Sequence, residues 1–213
     1  MPLYTTDALI LRTYKLGESD RIVVFLTRDR GKKRGVARNA RQSRRRFGGA
    51  LEPLTHGRVG YFEKERRELV TLNYVEPVRS PLAATQTDAL GYVGYFAELI
   101  DEWAQDADPN ETLFRLGASM VDAMAAGVPS EPLARYFEFW LLRLQGVYAV
   151  DPALSEGARA FLTSARGSSP FGLGDLAVPR GALRELEAAH RALITMHLEK
   201  DLKSMRVLKE MGR

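Results

Sequence analysis

What most constrains this chain is a change of hydrophobic period near residue 80. Ahead of it, Asp7 to Tyr14, Arg21 to Thr27 and Arg34 to Arg38 are short runs rich in Ile, Val, Leu and Thr. Turn signals at Lys15-Leu16-Gly17-Glu18 and Asp29-Arg30-Gly31-Lys32 separate them, so three successive antiparallel strands are expected. Two more are expected at Gly57 to Phe62 and Leu69 to Val75, paired across the charged turn Glu63 to Arg67.

Five short strands in about 75 residues suit a small barrel. An oligonucleotide/oligosaccharide-binding (OB) barrel has that strand count, and a half-open SH3-like barrel would give a similar pattern. From Ser80 the spacing turns helical. Ser80-Pro81 and Asp108-Pro109 each set a capping residue before a proline suited to the first helical position, and Glu111 follows Asp108 by three, as in a capping box. Apolar residues then recur at helical intervals: Leu90, Val93, Ala97, Ile100; Leu113, Leu116, Met120, Met124; Leu133, Phe137, Trp140, Leu141, Leu144. Asp151 to Pro179, near 151–179, reads as irregular, and Ala182 to Met211 as one closing helix. The expected class is mixed: a five-stranded barrel over 1–79, then an all-α helical domain over 80–213.

Charge is divided in the same place. Residues 1–80 hold eighteen Lys/Arg against nine Asp/Glu, a balance of +9, and residues 81–213 hold thirteen against eighteen, a balance of −5. Most of the excess lies in Arg28 to Arg46, where ten of nineteen side chains are basic and only Asp29 opposes them. These ten, Arg28, Arg30, Lys32, Lys33, Arg34, Arg38, Arg41, Arg44, Arg45 and Arg46, are the candidate nucleic-acid-binding residues. Cations that meet phosphates displace condensed counterions and yield strong, salt-sensitive, largely sequence-independent affinity. Arginine adds bidentate phosphate contacts and can stack on bases. Tyr14, Phe25, Phe47, Tyr61 and Phe62 lie nearby as possible stacking platforms.

Catalysis finds little support. Gly31-Lys32-Lys33 lacks P-loop spacing, and Gly172-Leu173-Gly174 lacks the third glycine of a dinucleotide fingerprint. His190 and His197 stand two helical turns apart, about 10 Å by rise, too far to share a metal unaided. Glu98, Asp101 and Glu102 have nuclease-like spacing, yet Val93, Ala97 and Ile100 claim the buried face and leave the acids as a solvated surface. No hydroxyl, histidine and acid combination forms a nucleophile set. The chain is expected not to be an enzyme and to need no cofactor. With no cysteine, no signal-like N-terminus and no apolar span, it is expected to be soluble and cytoplasmic.

In the helical part, Tyr136, Phe137, Phe139, Trp140 and Leu141 cluster beside Arg135 and Arg143. Phe137, Trp140 and Leu141 fit core packing. Tyr136 and Phe139, turned elsewhere, would leave an apolar, Arg-rimmed groove for a partner peptide.

Several blocks, in order, resemble the RecO family of DNA repair and recombination mediators: Asp7 to Thr13, Gly17 to Val23, Thr27 to Lys32, Gly35 to Arg41 and Phe47 to Pro53. Weaker similarity runs through Tyr95 to Leu99 and Phe139 to Leu144, and returns at His197-Leu198 and Leu202 to Arg206. The resemblance implies an N-terminal OB fold and a helical C-terminal domain. It implies a nucleoid-associated protein that binds single- and double-stranded DNA and anneals complementary strands. With RecR, it would help load RecA onto strands coated by single-strand-binding protein. The acidic C-terminal tail of that protein would suit a groove with Arg135, Tyr136, Phe139 and Arg143. Many members carry a four-cysteine zinc module after the third helix; Gly146 to Gly174 has no cysteine and is shorter, so zinc is not expected. The rival function is an RNA-binding OB protein acting in translation or ribosome assembly.

Overall fold

The computed structural model describes residues 2–64, 67–84 and 89–211. Its first part is a five-stranded barrel: β1 (Leu3–Leu16), β2 (Asp20–Thr27), β3 (Lys32–Ala37), β4 (His56–Phe62) and β5 (Leu69–Arg79). The strands close in the order β1-β2-β3-β5-β4, and only the β3–β5 pairing is parallel. This closed order is that of an OB fold. Of the expected turn between β4 and β5, Glu65 and Arg66 lie outside the described residues.

Ala8, Leu9, Ile10 and Leu11 of β1 are all buried, although successive strand residues face opposite ways. Both faces are covered here. Ala8 and Ile10 point into the barrel with Val23, Phe25, Val59 and Tyr61, whereas Leu9 and Leu11, with Val24 and Leu26, join the core of the helices. The barrel and the helices therefore share one packed seam. Gly117 allows its closeness, since a Cβ there would lie 2.7 Å from Leu9 Cδ1 and 2.8 Å from Ile100 Cδ1.

The helices are α1 (Arg44–Phe47), α2 (Ala89–Trp103), α3 (Glu111–Ala125), α4 (Ser130–Leu144), α5 (Glu156–Gly167), α6 (Arg180–Leu198) and α7 (Lys203–Met211), with 3-10 turns at Pro81–Ala84 and Pro170–Asp175. Among them α4 is central, packed against α2, α3, α5 and α6. None of the described helices is long and apolar enough to cross a membrane.

Three local expectations are corrected. The cap of α3 is Asn110, whose side chain accepts from Leu113 N at 2.9 Å, so Asp108 and Glu111 form no capping box. The segment read as irregular contains α5, capped by Ser155, whose hydroxyl accepts from Ala158 N. The closing helix is two helices, broken where Glu199 turns left-handed at φ 52°. Glu98 then caps α7 by accepting from the backbone N–H groups of Lys203 and Ser204.

Candidate nucleic-acid interface

The fold splits the basic run into two stretches. Arg28 and Arg30 lie in the β2–β3 turn and Lys32, Lys33 and Arg34 on β3, while Arg38 and Arg41 lie in the loop that leads to α1 and Arg44, Arg45 and Arg46 in α1 itself.

In the first stretch each cation has a carboxylate neighbour. Arg28 Nη2 lies 2.7 Å from Glu111 Oε1, and that hydrogen bond raises the guanidinium pKa above its ordinary value. Lys33 Nζ is 2.8 Å from Glu63, Arg34 Nη2 is 3.5 Å from Asp106, and Arg30 Nε is 3.9 Å from Asp29. Lys32 reaches Asp101 Oδ1 at 3.2 Å and donates to the Asp101 carbonyl at 2.6 Å. Asp101 is only 3% exposed and also holds Arg12 at 2.6 Å. It was expected on a solvated surface. Its burial follows from the loop after α2 docking on β3: Lys32 N donates to Gln105 O, and Ala107 N donates to Lys32 O. Gly31, at φ 68°, admits that loop, because a Cβ there would sit 2.3 Å from Asp108 N.

The second stretch is held by neutral acceptors. Arg41 Nη1 donates to Glu18 O at 2.9 Å; Arg46 donates to Arg38 O at 2.8 Å and to Ser43 Oγ at 3.1 Å. Arg46 also lies over the Phe47 ring, 5.1 Å from its centroid. Among the described residues no carboxylate forms an ion pair with Arg38, Arg41, Arg45 or Arg46; the Arg44 side chain lies outside the described residues. Phe47 anchors the segment by inserting into the barrel core beside Ala50 and Leu51. Between this loop and the β1–β2 hairpin lies a hollow of about 210 Å³ lined by Arg21, Arg41, Phe47, Gly48, Gly49 and Glu52 among others.

The aromatic candidates separate by burial. Phe25 and Tyr61 are fully buried in the barrel and Phe47 nearly so, while Phe62 is half-buried and Tyr14 is 46% exposed. The acids with nuclease-like spacing are each engaged: Glu98 on α7, Asp101 on Arg12 and Lys32, Glu102 on Lys200. They border a mixed-charge cleft of about 560 Å³ between the barrel and the helices.

The expected partner groove is corrected, because α4 is enclosed on several sides. Arg135 is 3% exposed, Tyr136 is buried and Phe139 is inaccessible. Arg135 Nη2 pairs with Glu138 Oε1 at 2.9 Å, and Glu138 also accepts from Tyr95 at 2.6 Å and meets His190 Nδ1 at 3.0 Å. Burial opposes the charge on Arg135 and is the largest single influence, but Glu138, Tyr95, Glu187 and Tyr92 together outweigh it and leave the guanidinium pKa raised. Burial and Glu138 together push the Tyr95 hydroxyl well up. Of the groove residues only Arg143 is exposed, its guanidinium 5.5 Å from the Phe139 centroid and 5.6 Å from that of Trp140.

Residues 1–81 match the family model for the N-terminal part of recombination protein O, and residues 84–158 match that for its C-terminal part. A DNA repair protein RecO from Pelotomaculum thermopropionicum is 30% identical over 249 aligned positions that cover all of this chain and 96% of the relative. The chain belongs to the RecO family. RecO proteins of Koribacter versatilis and Anaeromyxobacter sp. strain K are 44% identical over 148 residues and 39% over 169, covering 68% and 78% of this chain. The chain spans 59% and 65% of those two relatives. The 249 aligned positions exceed the 213 residues here, so the Pelotomaculum RecO carries segments this chain lacks. A four-thiolate zinc centre does not fit the present residues, because Gly146 to Gly174 offers no thiolate and instead folds largely into α5 and the Pro170–Asp175 turn.

Proposed function

We propose that this RecO-family chain is a non-catalytic DNA-binding protein of repair and recombination that holds phosphates with Arg38, Arg41, Arg45 and Arg46. The observation that carries the reading is that these four arginines, on an OB barrel, have no carboxylate partner among the described residues. A cation already paired gains little by meeting a phosphate, since one ion pair replaces another; an unpaired one gains the counterion release in full. Backbone carbonyls fix Arg41 and Arg46 without cancelling their charge, so little ordering is required on binding. Arg28, Lys32 and Arg34 act mainly in joining the barrel to the helical half, and Arg30 and Lys33 pair with acids of the barrel itself.

Single- and double-stranded DNA both present phosphates to this surface, and neutralising two strands at once favours annealing. In this reading 1–79 is the DNA-binding unit, and 80–213 supplies the contacts through which RecR and the tail of single-strand-binding protein direct RecA loading in the nucleoid. An acidic tail with an apolar end would meet Arg143 over Trp140, the accessible remnant of the expected groove. The test is annealing of complementary strands precoated with single-strand-binding protein. The quadruple variant R38Q/R41Q/R45Q/R46Q is expected to abolish annealing while retaining the wild-type circular dichroism and melting temperature. Undiminished annealing by a folded quadruple variant overturns the reading, and tighter binding of RNA than of DNA of equal sequence redirects it to an RNA partner.

A further inference from the structure

The outer face of the barrel carries a row of side chains that neither core absorbs. Tyr14 pairs with Ile22, Ile22 with Val36 and Val36 with Thr71, so these four lie side by side across β1, β2, β3 and β5. The adjacent row, Arg12, Val24, Arg34 and Leu69, shares their orientation, and Val24 belongs to the core of the helices, which identifies the outer face. Helices cover this face only in part. Ile22 and Val36 are half-buried yet pack into neither core, Tyr14 is 46% exposed, and Leu16 and Leu69 are each 38% exposed. Half-exposed apolar residues set together on a sheet mark a binding face.

Tyr14 is held ready. The Arg12 guanidinium sits 5.2 Å from its ring centroid, and Arg12 is itself fixed by the buried Asp101. Three acids near the face are occupied: Asp101 by Arg12 and Lys32, Asp106 by Arg34, and Asp20 by the backbone N–H of Asn39; Glu18 and Glu68 stand exposed at its margins. Arg38 follows β3 directly, so the row runs into the segment whose arginines lack carboxylate partners.

We propose that this row is the track for unpaired bases of single-stranded DNA, and that Tyr14 is the platform on which a base stacks, giving the barrel its preference for single strands. The proposal rests on the phosphate-binding role of Arg38 to Arg46 and adds to it a residue that distinguishes strand state. A ring offered to a base works only when the base face is open. In a duplex those faces are stacked on one another, whereas every unpaired base presents one regardless of sequence. The closed barrel leaves no strand edge for a peptide to extend, and the arginines beside the row suit a phosphate chain.

The experiment titrates oligothymidine and a blunt duplex of equal length against the full chain and its Y14A, Y14F and R38Q/R41Q/R45Q/R46Q variants. Y14A is expected to bind oligothymidine about ten-fold more weakly and the duplex as wild type does, and Y14F to match wild type. Tyr14 contributes to neither core, so the fold is expected to survive, with the melting temperature as control. Unchanged oligothymidine affinity in Y14A overturns the proposal and leaves the face to a protein partner; an equal loss on both DNAs also overturns it. Failure of the phosphate reading registers separately, as wild-type affinity of the arginine variant for both DNAs.

Discussion

Between Arg28 and Arg34 every cation has a carboxylate within 3.9 Å, whereas between Arg38 and Arg46 no described cation has one. Both stretches carry five basic residues. The difference is in what the fold lays against them. Asp101, Asp106 and Glu111 come from the helical half and its loop, so part of the acidic excess after residue 80 is used to neutralise the first stretch. The second stretch donates to carbonyls and a serine and lies over a phenylalanine, and Glu52, which lines the same hollow as Arg41, forms no ion pair with it. In the proposed reading, charge density along a sequence overstates a polyanion site, and the charge left after intramolecular pairing is what meets phosphate.

The comparison breaks most visibly in DNA affinity. R38Q/R41Q/R45Q/R46Q is expected to lower single-strand affinity by about 10²–10³-fold at 0.1 M salt, whereas R28Q/R34Q stays within a few-fold of wild type, as read by fluorescence anisotropy. Next in size is a stability effect that separates structural from binding arginines. R135A leaves Glu138 buried without its main cationic partner and is expected to cost about 3–5 kcal/mol in urea denaturation, with DNA affinity of the folded protein unchanged. D101N is expected to cost about 1–3 kcal/mol, because Lys32 loses its nearer charged partner and keeps only Asp106 at 3.9 Å, while half-exposed Arg12 can turn to water. The smallest change is E111Q. Both members of its pair are exposed, so stability is expected to hold, and freeing Arg28 should raise single-strand affinity by about two- to five-fold at low salt, vanishing at high salt.

The barrel was legible because short runs rich in Ile, Val, Leu and Thr are set apart by turn signals around Gly17 and Gly31, whereas the covering of both faces of Ala8 to Leu11 emerged only with the helices packed on β1. Helix α5 was also within reach: Ser155 precedes Ala158, Phe161, Leu162 and Ala165 at helical spacing, but the Gly, Ser and Pro residues after it dominated the reading. The enclosure of α4 had a signal too, since Tyr136, Phe137, Phe139, Trp140, Leu141 and Leu142 surround the helix and an all-round apolar helix is an interior one. The burial of Asp101 had none. Its partner Lys32 is 69 residues away, and only the docking of the α2–α3 loop on β3 joins them. The left-handed turn at Glu199 was equally hidden, as no glycine or proline marks it and contacts from α2 hold Lys200 and the start of α7.

The central claim is that DNA affinity comes from Arg38 to Arg46 and not from Arg28 to Arg34. The slope of log affinity against log salt for oligothymidine tests it most directly, because each phosphate neutralised on a single strand contributes about −0.7. The slope is expected to become shallower by roughly 3 in R38Q/R41Q/R45Q/R46Q and to stay at the wild-type value in R28Q/R34Q. An unchanged slope in the quadruple variant, or a loss per arginine in R28Q/R34Q as large as in the quadruple variant, contradicts it.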